Sequence, residues 1–98
     1  MAEITVTETE QRLGTARILD VREDFEVADG MIAGALHIPM GQLQARLSEL
    51  DPAAPVIVVC RSGNRSARVA DALNGAGFTA DTMAGGMIAW TRAGLPAT

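Results

Sequence analysis

Val56-Ile-Val-Val59 is an unbroken block of β-branched residues, closed by Cys60. Branched side chains lose rotamers against a helical turn and pack well on a pleated surface, so the block reads as a strand buried on both faces. A strand of that kind belongs in a parallel sheet, and a parallel sheet needs crossover segments that return the chain to the same end. The rest of the sequence supplies them. The apolar run Pro55–Cys60 is far shorter than the ~20 residues of a membrane helix, so no membrane span is expected.

Ile4–Val6 alternates as a short strand, and Thr7-Glu-Thr-Glu10 has the spacing of a capping box opening a helix to about Leu13, stopped by Gly14. Arg17–Val21 reads as a mostly buried strand, and the acidic stretch Glu23–Asp29 as a surface helical turn ended by Gly30. Ala35–Ile38 is a second short strand before Pro39. Met40, Leu43, Leu47 and Leu50 recur at intervals that give one apolar helix face, with Pro52 just beyond. After the Val56–Val59 strand, Ser66–Leu73 has helical spacing and stops near Gly75 and Gly77. Thr79–Met83 is a last strand, and Met87–Ala93 a helix closed by Gly94 and Pro96. Strand and helix alternate throughout, which predicts an α/β fold with helices on both faces of a parallel sheet.

With 98 residues, 48% of them hydrophobic, the chain is expected to form a single domain, 1–98, with one core. No linker, repeat or low-complexity segment divides it. The net charge of -4 and the lack of basic clusters exclude nucleic acid as a partner, since phosphates need a dense Lys/Arg footprint. Residues 1–14 carry Glu3, Glu8 and Glu10 and lack the basic and apolar regions of a secretory leader, so a cytoplasmic location is expected. A single cysteine forbids an internal disulfide and a cysteine-based metal cage, and a single histidine, His37, argues against zinc chemistry, so no metal is expected.

Charge is divided unevenly. Residues 1–51 hold ten acids and four arginines, whereas 52–98 hold two acids and four arginines. No acid lies between Asp51 and Asp71, where Arg61, Arg65 and Arg68 cluster. A locally cationic segment in an acidic protein suggests a small anionic ligand held at one place. That segment is the sequel to the buried strand: Cys60-Arg-Ser-Gly-Asn-Arg-Ser66. Ligands of open parallel sheets bind beyond the carboxyl ends of strands, and Cys60 stands at such an end. A short loop entering a helix aims free backbone amides inward, which lowers a thiol pKa and cradles an anion. Gly63 permits the tight turn, and Arg61 and Arg65 offer planar forks for an oxyanion. A cysteine at a strand end is more often a small buried hydrophobe. The glycine and two arginines that follow are what a purely structural cysteine would not need.

Cys60-Arg-Ser-Gly-Asn-Arg65 resembles the active-site loop of the rhodanese (thiosulfate sulfurtransferase) homology domain. Leu19-Asp-Val-Arg-Glu23, Ile32-Ala-Gly-Ala-Leu-His-Ile-Pro39 and Met83-Ala-Gly-Gly-Met-Ile-Ala-Trp90 resemble further blocks of that family, in the same order. The resemblance implies a five-stranded, mainly parallel sheet flanked by helices, and a cysteine that carries sulfur as a persulfide. It makes Cys60 the catalytic nucleophile and Arg61, Ser62, Gly63, Asn64, Arg65 and Ser66 the substrate-binding loop, with no cofactor. One departure is Met31, where the family commonly has His. Four residues separate Cys60 from Arg65, against five in related cysteine-dependent phosphatases and many arsenate reductases, which favours sulfur over phosphoryl transfer.

The expected reaction moves sulfane sulfur from thiosulfate to cyanide or a thiol. Two alternatives are a persulfide carrier or interaction module loaded by a protein donor, and a small phosphatase or arsenate reductase. Asp20 and Arg22 are expected to form an ion-paired framework, His37 a structural contact and Trp90 an anchor for the last helix. Glu23, Asp24, Glu26 and Asp29 read as a solvated face.

Overall fold

Alternation along the buried strands decides which helix covers which side chain. In a computed structural model that describes residues 3–98, strand β2 (Arg17–Asp20) sends Leu19 to one face and Ile18 to the other. Strand β4 (Val56–Val59) sends Val56 and Val58 to the first face and Ile57 and Val59 to the second. Every residue of β4 is buried, so both faces are apolar, as the β-branched block demands. Burying each such side chain contributes about 1.5–3 kcal/mol before conformational entropy is set against it.

Strands β1 (Glu3–Ile4), β3 (Leu36–His37) and β5 (Ala80–Met83) complete a five-stranded sheet in the order β1-β5-β4-β2-β3, and every pairing is parallel. Helix α3 (Asn64–Gly75) lays Val69, Ala70 and Leu73 on the Val56/Val58 face, where Leu43 and Leu50 join them. The opposite face takes Met87 and Trp90 of α4 (Gly86–Arg92), with Val6 of α1 (Val6–Gln11) at its margin. Trp90 is 1% exposed and its Nε1 donates to the Pro96 carbonyl at 2.9 Å, which pins the chain after α4. The chain leaves β2 towards β3 and leaves β4 towards β5, in opposite directions. The carboxyl ends of β2 and β4 therefore flank the switch point at which sheets of this kind bind ligands.

Three expected elements differ: the strand expected at Ile4–Val6 is Glu3–Ile4, and Val6 is already the first residue of α1. The capping box is set two residues earlier: Thr5 Oγ1 accepts from the Glu8 amide at 3.0 Å and Glu8 Oε1 accepts from the Thr5 amide at 3.2 Å. Both registers fit the Thr-x-x-Glu pattern. The earlier one buries Thr9 completely, and the Thr9 hydroxyl then donates to the Thr5 carbonyl at 2.9 Å. The predicted helix from Met40 to Leu50 is two separate 3-10 turns, Met40–Gln42 and Leu47–Glu49. Residues three apart eclipse in such turns, so the same leucine spacing buries Leu43 and Leu50 without a continuous helix.

Candidate active site

Cys60 has the same parity as Val56 and Val58, so its side chain points to the α3 side of the sheet. The thiol there meets the start of α3 and is 1% exposed. Gly63, the residue before α3, has φ +105, a left-handed conformation that a side chain resists, and its amide donates to Cys60 Sγ at 3.0 Å. The Cys60 thiol donates to Ser66 Oγ at 3.4 Å; once ionised it accepts from the same hydroxyl. Burial pushes the thiol pKa up, but the Ser66 hydroxyl and the amides of Ser66, Gly63 and Ser62 outweigh it, and the net shift is downward.

A residue absent from the sequence reading stands behind this loop. Thr82 of β5 is 2% exposed and its hydroxyl donates to Ser66 Oγ at 2.7 Å. While Cys60 is a thiol, Ser66 gives its one hydroxyl proton to the Gly63 carbonyl at 3.1 Å; ionisation of Cys60 turns that proton to the sulfur. The hydroxyl beside the sulfur is thus oriented from the neighbouring strand. Alternation along β5 puts Thr82 on the same face as Ala80, which is the only sequence signal that could have pointed to it.

The loop is held from the other side by α4. The amides of Met87 and Ile88 donate to the carbonyls of Cys60 and Arg61 at 2.8 and 3.0 Å. Gly86, at φ +58, makes that approach sterically feasible: a Cβ there would lie 2.5 Å from the carbonyl oxygens of Cys60 and Arg61. The Gly-Gly of the last sequence block therefore serves contact with the loop as well as turning the chain.

Arg61 and Arg65 are placed differently. Arg65 gives both terminal nitrogens to Glu26 of α2 (Asp24–Val27), at 2.6 and 2.8 Å. Hydrogen bonds from Arg65 hold the Glu26 carboxyl down at about 2. Glu26 was read as part of a solvated face; its side chain is 12% exposed and bound to the loop. Arg61 is exposed and has no carboxylate partner among the described residues. Ser62 is exposed beside it, and Asn64 is exposed at the first position of α3.

A buried framework carries α2. Asp20 accepts from Arg22 Nε at 3.0 Å and Nη2 at 2.8 Å, and Arg22 reaches on to the carbonyls of Glu26 and Gly30. Arg22 thereby ties the end of β2 to the segment that presents Glu26. His37 Nε2 lies 2.7 Å from the Arg22 carbonyl, which can only accept, so that nitrogen carries the proton. This is the structural contact expected of His37. Met31 exchanges backbone hydrogen bonds with Thr98 at 3.0 and 2.9 Å, away from the loop. Among the described residues, no group of His, Cys, Asp and Glu side chains could hold a metal, and no helix is long and apolar enough to cross a membrane.

The sequence profile of the rhodanese-like domain matches residues 5–93. YtwF of Bacillus subtilis is 45% identical over 73 residues, covering 74% of this chain and 71% of its own. A sulfurtransferase of Allochromatium vinosum is 40% identical over 80 residues, covering 81% of this chain and 75% of its own. The crystal structure of a rhodanese-related protein from Thermoplasma volcanium superposes with a TM-score of 0.96 at 30% identity, covering 100% of this chain and 98% of that one.

Proposed function

Because the chain belongs to the rhodanese-like domain family, we propose that it is a thiosulfate sulfurtransferase working through a persulfide on Cys60. Sulfur transfer in general is the chemistry that its sulfurtransferase relative supports. The observation that carries the finer reading is the cradle around Sγ: an amide at 3.0 Å, a buried hydroxyl and a thiol pKa set below its ordinary value.

In the first step the Cys60 thiolate attacks the sulfane sulfur of thiosulfate. A new S–S bond forms, the sulfur–sulfite bond breaks, and sulfite leaves with the electron pair. The loop amides that favour the thiolate also favour the persulfide anion. In the second step cyanide or a thiolate attacks the terminal sulfur, and the electron pair returns to Cys60 Sγ. The route is ping-pong and uses no group outside the chain. An ionised thiol needs no general base.

Arg61 is the cation free to meet the sulfonate end of thiosulfate. Arg65 has both terminal nitrogens on Glu26, so Glu26 and the donor compete for one guanidinium. The test is intact mass after brief incubation with thiosulfate. A gain of one sulfur atom, reversed by cyanide and absent in Cys60→Ala, is the expected result. No gain, with Cys60 still open to alkylation, would overturn thiosulfate as donor.

A further inference from the structure

Of the two loop arginines, Arg65 already holds an anion. Its terminal nitrogens lie 2.6 and 2.8 Å from the two carboxylate oxygens of Glu26, the side-by-side geometry in which a guanidinium binds a carboxylate most firmly. The Glu26 side chain is 12% exposed and is fixed from its own helix. Its Oε1 also accepts from the Glu23 amide at 2.9 Å, and Arg22 reaches the Glu26 carbonyl. Glu23 is exposed at the start of that helix. The hydrogen bonds to Glu26 raise the Arg65 pKa, and the charges of Glu26, Cys60 and Glu23 add to the rise. Arg65 therefore stands in the field of the sulfur and of two carboxylates.

That arrangement limits how much negative charge the loop can take. With Cys60 ionised, its thiolate and Glu26 together offset Arg61 and Arg65. Arg68 is exposed a turn further along α3, where water and salt screen it. Arg61 remains for one oxyanion charge. A doubly charged donor must meet its second charge with backbone amides, or take Arg65 and strand a carboxylate that is nearly out of water. Without the Glu26 carboxylate the loop would carry one more positive charge. Doubly charged anions would then gain most, because Coulomb energy scales with the charge of the ligand.

We propose that Glu26 sets the charge of the sulfur donor, tuning the loop towards singly charged sulfane sulfur of the thiosulfonate type, R–SO2–S−, over doubly charged ions. This rests on the sulfurtransferase reading and leaves thiosulfate a donor with a raised KM. With a thiosulfonate, the Cys60 thiolate attacks the terminal sulfur and forms a new S–S bond. The bond from that sulfur to the sulfonyl group breaks, and the sulfinate leaves with its electron pair.

Methanethiosulfonate matches thiosulfate in shape, with a methyl group in place of one oxygen, and carries one charge fewer. Loading of Cys60 by each donor is followed by intact mass. In Glu26→Gln the KM for thiosulfate should fall about tenfold. That for methanethiosulfonate should fall about threefold, half the free energy for half the charge. A merely structural Glu26 would change both donors alike, and that result would overturn the proposal.

Sulfate and methanesulfonate differ in the same way and transfer nothing, so binding is read apart from chemistry. Both are titrated into the 15N-labelled wild-type protein at constant ionic strength. Methanesulfonate should shift the Gly63 and Arg65 amides at concentrations no higher than sulfate requires. Tighter binding of sulfate, or shifts that bypass both amides, would overturn the assignment without any variant. If neither donor adds sulfur while the analogues keep this order, the sulfurtransferase reading falls and the role of Glu26 stands.

Discussion

Helices α3 and α4 both begin at a left-handed glycine with no side-chain cap, and both point their first amides at the same loop. They use those amides for opposite ends. At α4 the amides of Met87 and Ile88 are taken up by the carbonyls of Cys60 and Arg61. At α3 the Gly63 amide is turned to the sulfur, and those of Ser62 and Ser66 also favour its anion. One helix end holds the backbone of the loop; the other leaves its positive pole for an anion. A thiol only 1% exposed has its anion favoured because these two tasks are divided.

Removing the anion's carrier has the largest effect. Cys60→Ala should abolish sulfur loading while leaving the fold intact, which mass spectrometry and thermal unfolding check together. The next largest separates the two helix ends. Gly86→Ala drives a Cβ to 2.5 Å from two loop carbonyl oxygens and should cost about 2–4 kcal/mol through overpacking and left-handed strain. At that cost Tm should fall by roughly 10 °C or more. A Cβ at Gly63 comes closest to the Gly85 amide, at 3.3 Å, so Gly63→Ala brings left-handed strain at φ +105 without a carbonyl clash and should lose less stability yet raise the Cys60 pKa. Equal Tm losses in the two variants would erase the distinction.

Glu26→Gln sharpens it from outside the loop. Freeing Arg65 should lower the KM for thiosulfate by about tenfold, the low end of the worth of a charge-assisted hydrogen bond. The same variant tests acid stability. The Glu26 carboxyl falls from 4.5 to about 2 on folding, so its contribution is complete above 4.5 and is lost as pH drops towards 2. Glu26→Gln should therefore flatten that part of the acid unfolding profile. The smallest effect concerns Thr82. Thr82→Val removes the donor that orients Ser66, so the thiolate loses support and its pKa rises, by less than about one unit. The pH profile of Cys60 alkylation should move upward in Thr82→Val and return in Thr82→Ser.

Legibility followed the range of the interaction. The block Val56–Val59 gave β4, its burial on both faces and the place of Cys60 at its carboxyl end. Both helical faces of the sheet and the Asp20–Arg22 pair were readable because each rests on neighbours in sequence. The stretch from Met40 to Leu50 was misread because leucine spacing suits a 3-10 turn as well as an α-helix, and the pattern carries no signal of length. Glu26 was misread for another reason. Its partner Arg65 lies 39 residues away, and only the folded chain brings α2 over the loop. Ser66 and Thr82 meet across adjacent elements in the same manner.

Trp90 is the sole tryptophan, and the chain has no tyrosine. It sits 1% exposed on the helix whose first amides hold the Cys60–Arg61 backbone, with its indole N–H bonded to Pro96. Near-ultraviolet emission from this protein therefore comes from one fluorophore, in a buried site, one turn from the anchor of the Cys60 loop. Undocking of α4 wets the indole and shifts its emission to longer wavelength. The protein thus carries its own optical gauge of whether the loop is held, readable in real time during turnover without any label.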